Sequence, residues 1–349
     1  MARHASPEET RSGIRNMALA MIALTAFVVA MIASYSGAFA SPTLHHLTVA
    51  AAAPEQVVSA IDGQDALVVN KVGDDAVARQ QVRERAADSA FVVSPAGEMK
   101  IYIAGGGGRS VATAAETVGR QIAARAGLPA SVEDVAPASA ADPSGTVEFY
   151  AIIFISIGAS LGATVFGYIM GKVRKPVRFV LRSLTLAGYS AALASVVTVY
   201  VDAVLGALSG HTWAVFGALW LYAMAVAGAV TGVAAAFGSV ASMVLTMFLV
   251  VVGNAAAAGP VGRPLLSSFY STFSWIVPQG SGVALLRSIS YFGGNGALIP
   301  LVTLVIWGAV GCLLAIVATA SRVNYRALYD RFGESGGAVL QPRVLSPTN

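Results

Sequence analysis

The stretch Phe149–Gly171, FYAIIFISIGASLGATVFGYIMG, decides the class of this protein. It contains no charged residue and is long enough to cross the roughly 30 Å hydrocarbon core of a bilayer as a helix. The chain stays apolar well beyond it, because Asp202 is the only acidic residue from Phe149 to Tyr329. Each charged side chain at the centre of a bilayer costs about 3 kcal/mol. This half of the chain is therefore predicted to lie in lipid.

The composition of the whole chain also indicates a membrane protein. Of its 349 residues, 56% are hydrophobic and 11% are charged, whereas soluble proteins carry about 25% charged residues. The net charge of +4 could indicate a nucleic-acid partner, but the basic residues lie at the ends of apolar runs and form no single stripe. We therefore expect membrane lipids, and no nucleic acid, as partners. The single cysteine, Cys312, excludes an intrachain disulfide.

Apolar runs of about 20 residues, the length that a spanning helix needs, occur six times. They are Met17–Ala40, Phe149–Gly171, Ser183–Gly206, Trp213–Gly232, Ser239–Ala258 and Ala297–Ala320. The first run could instead be a signal peptide, because the small residues at 36–40 suit a cleavage site. Its length exceeds the apolar core of a signal, and an even number of spans closes the topology. We therefore interpret it as an uncleaved anchor, transmembrane helix 17–40.

The basic residues near the span ends predict the orientation, because short cytoplasmic segments are enriched in Lys and Arg. One group precedes the first span, one lies at 172–182, and one follows the sixth span. Six crossings place all three groups on one side of the membrane. We therefore predict a multi-pass plasma-membrane protein with cytoplasmic tails 1–16 and 321–349, and with residues 41–146 outside.

Residues 41–146 hold most of the acidic residues and have the composition of a folded soluble domain. Short β-type runs alternate with helical ones, which predicts a small extracytoplasmic α/β domain. The predicted strands are Leu47–Ala50, Ala66–Val69, Phe91–Ser94, Lys100–Ala104 and Val132–Val135. The predicted helices are Asp74–Ala87 and Ser110–Arg125, with Ser110 as N-cap. Residues 94–97 are predicted to turn a hairpin.

The fold class predicted from these runs is an α-helical polytopic membrane protein with an inserted α/β domain. Its membrane part is a five-helix transmembrane domain, 147–320, which follows the α/β domain. Three pairs of glycines, Gly158 and Gly162, Gly167 and Gly171, and Gly228 and Gly232, are each one turn apart. Such pairs let helix backbones approach closely, which predicts a tightly packed bundle and permits a subunit contact.

Motifs for chemistry are weak in this sequence. The run Gly105–Ser110 follows a strand and precedes a helix, but the phosphate-binding pattern requires Lys at Arg109 and Gly at Ile103. We therefore interpret it as a flexible β-to-α turn. His45 and His46 have no carboxylate or thiol at metal-ligand spacing, which favours a surface pair. We predict no catalytic residue, cofactor or metal, and no enzyme acting by itself.

The segment after the fifth span is unusual. Residues 253–260 break the helix, and two short apolar helices, at 264–275 and 283–292, follow with a Pro-x-Gly sequence between them. Irregular backbone at membrane depth requires protein or a water-filled cavity around it. We interpret residues 259–294 as a re-entrant hairpin from the outer face; two helices lying flat on the outer leaflet are the alternative. The candidate gate residues are Asn254, Pro278, Gly280, Arg287 and Tyr291.

Several motifs resemble those of the phage infection protein family, a group of type-2 ABC transporter permeases, and its actinobacterial relatives. They are Val132–Pro137, Ala141–Gly145, Phe149-Tyr150, Gly253-Asn254, Pro278-x-Gly280, Leu286-Arg287 and Ser290-Tyr291-Phe292-x-Gly294. The layout of one span, a large outer domain and five spans is similar too, and the likeness covers nearly the whole chain after Arg15. One departure is that Ala255–Gly259 stands where the family commonly has Pro-Ser-Ser-Gly-Gly.

The resemblance implies the permease subunit of an ABC-type exporter, working as a homodimer or a heterodimer with a cytoplasmic ATP-binding subunit. Its substrate would be hydrophobic or amphipathic: a lipid, a cell-envelope precursor or a drug. The re-entrant hairpin would close the outer end of the pathway. The ATPase coupling loop would comprise Lys172, Arg174, Lys175, Arg178 and Arg182. These residues also serve as an orientation signal.

Two alternatives stay open at this point. Asp202, the intramembrane acid, lies near the outer end of the third span and could pair with Arg263, Arg287 or His211. A position at the rim, facing lipid headgroups, is the other interpretation. The alternative function is a non-transporting envelope protein whose outer domain is a docking or receptor surface.

Overall fold

The computed structural model of the protein describes residues 7–63, 65–171 and 176–322. These ranges contain α-helices, one mixed β-sheet and a few single turns of other helix types. The helices are α1 Pro7–Phe39, α2 Glu55–Asp62, α3 Asp75–Arg83, α4 Arg109–Arg125, α5 Val147–Met170, α6 Pro176–Val199, α7 Thr212–Phe237, α8 Ser239–Phe248, α9 Ser268–Ile276, α10 Pro278–Tyr291 and α11 Leu298–Ala320. The strands are β1 Leu47–Ala52, β2 Leu67–Lys71, β3 Ser89–Val93, β4 Met99–Ile103 and β5 Ala130–Asp134.

The predicted α/β domain is present, and its five strands lie within about two residues of their predicted positions. They form one sheet in the order β2-β1-β3-β4-β5, in which only β3 and β4 are antiparallel. Alternation of side chains gives the sheet two apolar faces. Phe91 and Ile101 belong to the core that includes residues of α2 and α4, whereas Ala90 and Tyr102 belong to the core with α3.

Two local predictions in this domain have different outcomes. The hairpin at 94–97 is confirmed: Gly97 has φ of 78° and joins the antiparallel strands β3 and β4. The N-cap assignment of Ser110 is wrong, because α4 already begins at Arg109 after Gly108 and Ser110 lies inside the first turn. The Ser110 hydroxyl instead accepts a hydrogen bond from the backbone N–H of Gly262 at 3.0 Å.

Five helices are long and apolar enough to cross a membrane, which confirms the membrane character of the chain. They are Ser12–Phe39, Val147–Met170, Val177–Val204, Thr212–Phe237 and Leu298–Ala320. The third begins earlier than predicted, since α6 starts at Pro176. Proline is well tolerated at the first helical position because the N–H it lacks has no intrahelical partner there. Arg178 and Arg182 therefore belong to a helix and not to a loop.

The fifth predicted span, Ser239–Ala258, is shorter in the structure. Its apolar helix covers Ser239–Gly253, including one π-turn at Leu249–Gly253. Helical turns continue to Ala255, which gives a length of about 25 Å against the roughly 30 Å of a bilayer core. The sixth crossing therefore stays a prediction.

Helix α7 is the centre of the membrane bundle and packs against α5, α6, α8, α10 and α11. The glycine pairs explain two of its close contacts. Gly228 and Gly232 lie against the backbone of Gly308 and Gly311 in α11. In α5, Gly158 and Gly162 make room for Leu193 and Tyr189 of α6. The prediction that these two pairs are packing sites is confirmed, whereas Gly171 meets nothing within 4 Å.

Helices α9 and α10 are the two short helices predicted before the last span. They meet at Val277, where the backbone is extended with ψ of 147°, and Pro278 begins α10. Most of α10 is buried, and it packs against α5, α7, α9 and α11. A helix of 14 residues is about 21 Å long, too short to span by itself. It packs among the longer helices α5, α7 and α11, and its C-terminal end reaches the α/β domain.

Candidate functional site

The candidate site is the contact between α10 and the α/β domain, and Arg287 lies at its centre. Its side chain is almost fully buried. Nη1 donates to the carbonyl oxygens of Gly107 at 3.1 Å and Ala258 at 3.0 Å. Nη2 donates to those of Gly145 at 3.1 Å and Gly259 at 2.9 Å. One guanidinium thus connects α10 with the glycine loop, the linker before α5 and the segment after α8.

This geometry explains why the position requires arginine. The planar guanidinium presents several N–H donors in a fixed arrangement, whereas lysine concentrates its charge at one nitrogen. Each of the four carbonyl groups would otherwise be short of a donor in a region with little access to water. The Nε atom has no hydrogen-bond partner in the described part of the chain. Arg287 therefore acts as a cross-link between segments that are distant in sequence.

A second link joins the same helix to α5. The hydroxyl of Tyr291 donates a hydrogen bond to Oε1 of Glu148, whose side chain is fully buried. Glu148 lies in the first turn of α5, where the N-terminal end of the helix dipole favours an acidic group. Asp142 stabilises the start of this helix because Oδ2 accepts hydrogen bonds from the backbone N–H groups of Thr146 and Val147, both at 2.7 Å. Sequence reasoning missed Glu148 because it stands one residue before the predicted span.

The glycine loop that resembles a phosphate-binding loop packs against α10. A Cβ atom on Gly106 would lie 2.5 Å from Cβ of Tyr291, so only glycine fits there. The N–H of Gly105 donates to both carboxylate oxygens of Asp134, at 3.0 and 3.2 Å. The loop lies between β4 and α4, as predicted, but it is a mostly buried docking element.

The α/β domain contributes its own arginine to this contact. Nη1 of Arg85 donates to the carbonyl oxygen of Ala284 at 2.9 Å and to Oγ of Ser288 at 2.6 Å. Its guanidinium also lies over the ring of Phe292, 4.9 Å from the centroid. The backbone of Arg85 has φ of 61°, in the left-handed region that non-glycine residues rarely adopt. Burial, reinforced by the positive charges of Arg287 and Arg263, lowers the pKa of Arg85 to about 10.

The other predicted gate residues are Asn254, Pro278 and Gly280. Asn254 is buried after the π-turn, and its Oδ1 has no partner among the described residues. Gly280 lies so close to the backbone of Ser274 that a side chain would overlap it. Beside Pro278, Gln279 donates from Nε2 to Oγ of Ser156 at 3.1 Å. The gate residues are thus brought together along one segment, although only Arg287 and Tyr291 touch the α/β domain contact.

Of the two interpretations of Asp202, pairing with Arg263, Arg287 or His211 is not found among the salt bridges of the described residues. Asp202 lies in a π-turn at the end of α6 and accepts a hydrogen bond from the hydroxyl of Thr212, at the start of α7. Both Nη atoms of Arg287 donate to carbonyl oxygens and not to Asp202. Asp202 therefore joins two neighbouring helix ends.

The predicted coupling residues are only partly described. Lys172, Arg174 and Lys175 lie outside the described residues. Arg178 is exposed in the first turns of α6. Arg182 packs against Gly167 of α5, where a Cβ atom would come within 2.9 Å of Nη2. Of the two, Arg178 is accessible to a partner at this end of the bundle.

No protein-family model, curated protein or solved structure was found to match the chain. Within the described residues, no group of three or more His, Cys, Asp or Glu side chains is placed to hold a metal ion. The hydrogen bonds of Arg287 and Arg85 join α10 to the α/β domain. A cavity lies next to Arg287.

Proposed function

We propose that the chain is the permease subunit of an ABC-type exporter that moves a hydrophobic or amphipathic molecule outward. A separate cytoplasmic ATP-binding subunit hydrolyses ATP, and two permease chains, identical or similar, form the membrane part. The observation that carries this proposal is the position of α10. It is a short helix enclosed by α5, α7 and α11, and its outer end is fixed to the α/β domain by Arg287 and Arg85.

Such an arrangement suits a gate at the outer end of a pathway. Irregular backbone at membrane depth is tolerated only where protein or water satisfies its polar groups, and Arg287 donates to the carbonyl groups of Ala258 and Gly259 in the irregular segment after α8. Movement of α10 relative to α5 and α7 would be transmitted to the α/β domain through the same contacts. We therefore propose that residues 259–294 are re-entrant, with α10 as the moving element.

The proposed topology keeps six crossings, with α8 and its continuation as the fifth. Both termini and the start of α6 then face the cytoplasm, and the α/β domain lies outside the plasma membrane. The packing of the last turns of α1 supports a retained anchor. Ser34 donates to the carbonyl oxygen of Val251 at 2.9 Å and accepts from Tyr270 at 3.0 Å.

The proposed contact for the ATPase is the basic segment 172–182, of which Arg178 is exposed on α6. Charged residues at a wet interface rim are easily hydrated, so such a contact can form and separate during a cycle. A receptor or docking protein would need no such contact on the cytoplasmic side.

Gene deletion in the native host tests the proposal. We expect the deletion to change the lipid composition of the envelope or the sensitivity to amphipathic drugs, and the wild-type gene to restore both. A variant with Arg174, Lys175 and Arg178 all changed to Gln, checked for unchanged amount and topology, should not restore them. If the deletion changes neither property, the docking-protein alternative is favoured.

A further inference from the structure

A cavity of about 580 Å³ lies between the α/β domain and the helices α9, α10 and α11. This volume falls in the range of sites that hold small molecules. Its walls come from both halves of the protein: His45, Arg85 and Asp88 from the α/β domain side, and Arg263 and Arg287 from the membrane side. The cavity is therefore present only while the two halves are in contact.

The charged groups that line this cavity are unbalanced. Three arginines, Arg85, Arg263 and Arg287, face one carboxylate, Asp88, which gives a net charge of +2 with both lining histidines neutral. Asp88 is engaged with the backbone N–H of Thr48, at 2.9 Å. Over the described ranges, no salt bridge joins it to any of the three arginines.

Two of these arginines, Arg85 and Arg263, have Nη donors left for a ligand. Arg287 uses both Nη atoms on carbonyl groups. Arg85 uses only Nη1. Arg263 donates from Nε to Oγ of Ser274 at 3.3 Å and stacks on the ring of Trp275 at 3.5 Å. In the part of the chain that the structure describes, no hydrogen bond is formed by Nη2 of Arg85 or by either Nη of Arg263.

The rim of the cavity is apolar on the membrane side. Trp275 is 51% exposed and Ile299, at the start of α11, is 60% exposed, and both line the cavity. A ligand that neutralises the arginines and also covers these side chains needs an anionic headgroup with an apolar part. A phosphate monoester carries nearly two negative charges at neutral pH, and its oxygens match the donor arrangement of guanidinium groups.

We propose that this cavity binds the phosphate monoester headgroup of an amphiphilic molecule through Arg85 and Arg263, with its apolar part against Trp275 and Ile299. The binding itself does not depend on the proposed exporter function. The further step, that this ligand is the exported molecule, rests on that function. A phosphorylated lipid is then the substrate class.

The test is a titration of the purified full-length chain, in detergent, with dioleoyl phosphatidic acid in mixed micelles. Dioleoyl phosphatidylcholine and inorganic phosphate serve as competing probes. We expect phosphatidic acid to bind more than tenfold more tightly than either. Arg263→Gln should raise the Kd for phosphatidic acid at least about tenfold, a change of about 1.4 kcal/mol, and Arg263→Lys should raise it less. The matched control is Arg125→Gln, which removes the same charge from an exposed position at the end of α4.

A second measurement keeps the test independent of the folding of these variants. Photoactivatable phosphatidic acid should label the wild-type chain on α9 or on the first turns of α11, and excess phosphatidic acid should prevent this. Equal binding by Arg263→Gln and wild type, or labelling only elsewhere, would overturn the inference. Binding of inorganic phosphate as tight as that of phosphatidic acid would overturn its lipid part. Since the chain is tested without an ATPase, failure here leaves the proposed function standing, and failure to find an ATPase leaves the binding site standing.

Discussion

The hydroxyl of Tyr291 in α10 donates a hydrogen bond to the buried carboxyl group of Glu148 in α5. The two residues are 143 positions apart, and no other hydrogen bond joins α5 to the C-terminal end of α10 in the described residues. Tyr291 also packs against Gly106 of the α/β domain. One side chain thus connects three parts of the fold: the long apolar helix α5, the short helix α10 and the α/β domain.

We expect this pair to be energetically coupled. Tyr291→Phe leaves the Glu148 carboxyl group buried without its donor and should cost about 1–3 kcal/mol. Glu148→Met should cost a similar amount, but the double variant should cost less than the sum, by about 0.5–3 kcal/mol. The free energy of unfolding by SDS titration in mixed micelles measures this cycle. The control cycle combines Glu148→Met with Tyr168→Phe, at an exposed position. In that cycle the two changes in the free energy of unfolding should add up. Additivity in the first cycle would show that the two groups do not interact.

The glycine loop should not tolerate an added methyl group at Gly106. Gly106→Ala places a Cβ atom 2.5 Å from two carbons of Tyr291, and such overpacking costs about 1–3 kcal/mol. Gly73→Ala is the matched control, since its Cβ meets nothing within 4 Å. Thermal unfolding of both variants in detergent tests this. A Gly106→Ala variant as stable as the control would mean that the loop does not pack on α10.

Burial at the wall of the cavity raises the pKa of Asp88 above its usual range, although the hydrogen bond from Thr48 and the charges of Arg85 and Arg263 oppose this. A carboxyl group whose pKa is higher in the folded state than in the unfolded state makes folding less favourable as pH rises through these values. Asp88→Asn removes this penalty. We therefore expect the variant to be more stable than wild type at pH 7, with a gain that disappears as pH falls below the unfolded pKa.

Unfolding of Asp88→Asn and wild type at a series of pH values from about 3 to 8, which extends below the ordinary pKa of an aspartate, measures this dependence. Asp65→Asn, at an exposed position, is the control and should show no such pH-dependent gain. If the gain from Asp88→Asn is the same at every pH, or grows as pH falls, ionisation of Asp88 is not its cause.

The sequence predicted the elements whose signals are local. The strands of the α/β domain follow from alternation of side chains, as with Phe91 and Ile101 on one face of the sheet. Each of the six predicted spans begins or ends within about five residues of an apolar helix in the structure. The predicted start of α6 is wrong because Arg178 and Arg182 interrupt the apolar pattern, although charged residues near a helix end are compatible with helical backbone.

The tertiary contacts of the site could not be predicted in the same way. Nothing near Arg85 in the sequence indicates a partner in α10, about 200 residues later. Glu148 could not be predicted as a site residue because it lies just before the uncharged run that begins at Phe149. The sequence indicates Arg287 as a gate residue, but not its four carbonyl partners, which come from three parts of the chain. The role of Gly106 likewise depends on Tyr291, which only the fold brings near.

The predicted orientation can be measured with single cysteines in a Cys312→Ala background. Thr113 on α4 is exposed and serves as the probe of the α/β domain. An impermeant maleimide added to intact cells should label Thr113→Cys, but not Ser12→Cys or Ser335→Cys, because positive charges keep the tails inside. Permeabilised cells should show labelling of all three. Labelling of either tail in intact cells would contradict six crossings with cytoplasmic termini.

The exporter account depends most directly on a partner that hydrolyses ATP. The measurement is purification of the full-length chain from its native membranes in mild detergent, with mass-spectrometric identification of co-purifying proteins and an assay of ATPase activity. The account predicts a nucleotide-binding subunit in stable proportion to the permease, ATP hydrolysis by the complex, and loss of that subunit when Arg174, Lys175 and Arg178 are changed to Gln. Recovery of the intact wild-type chain without a nucleotide-binding subunit and without ATPase activity would contradict it.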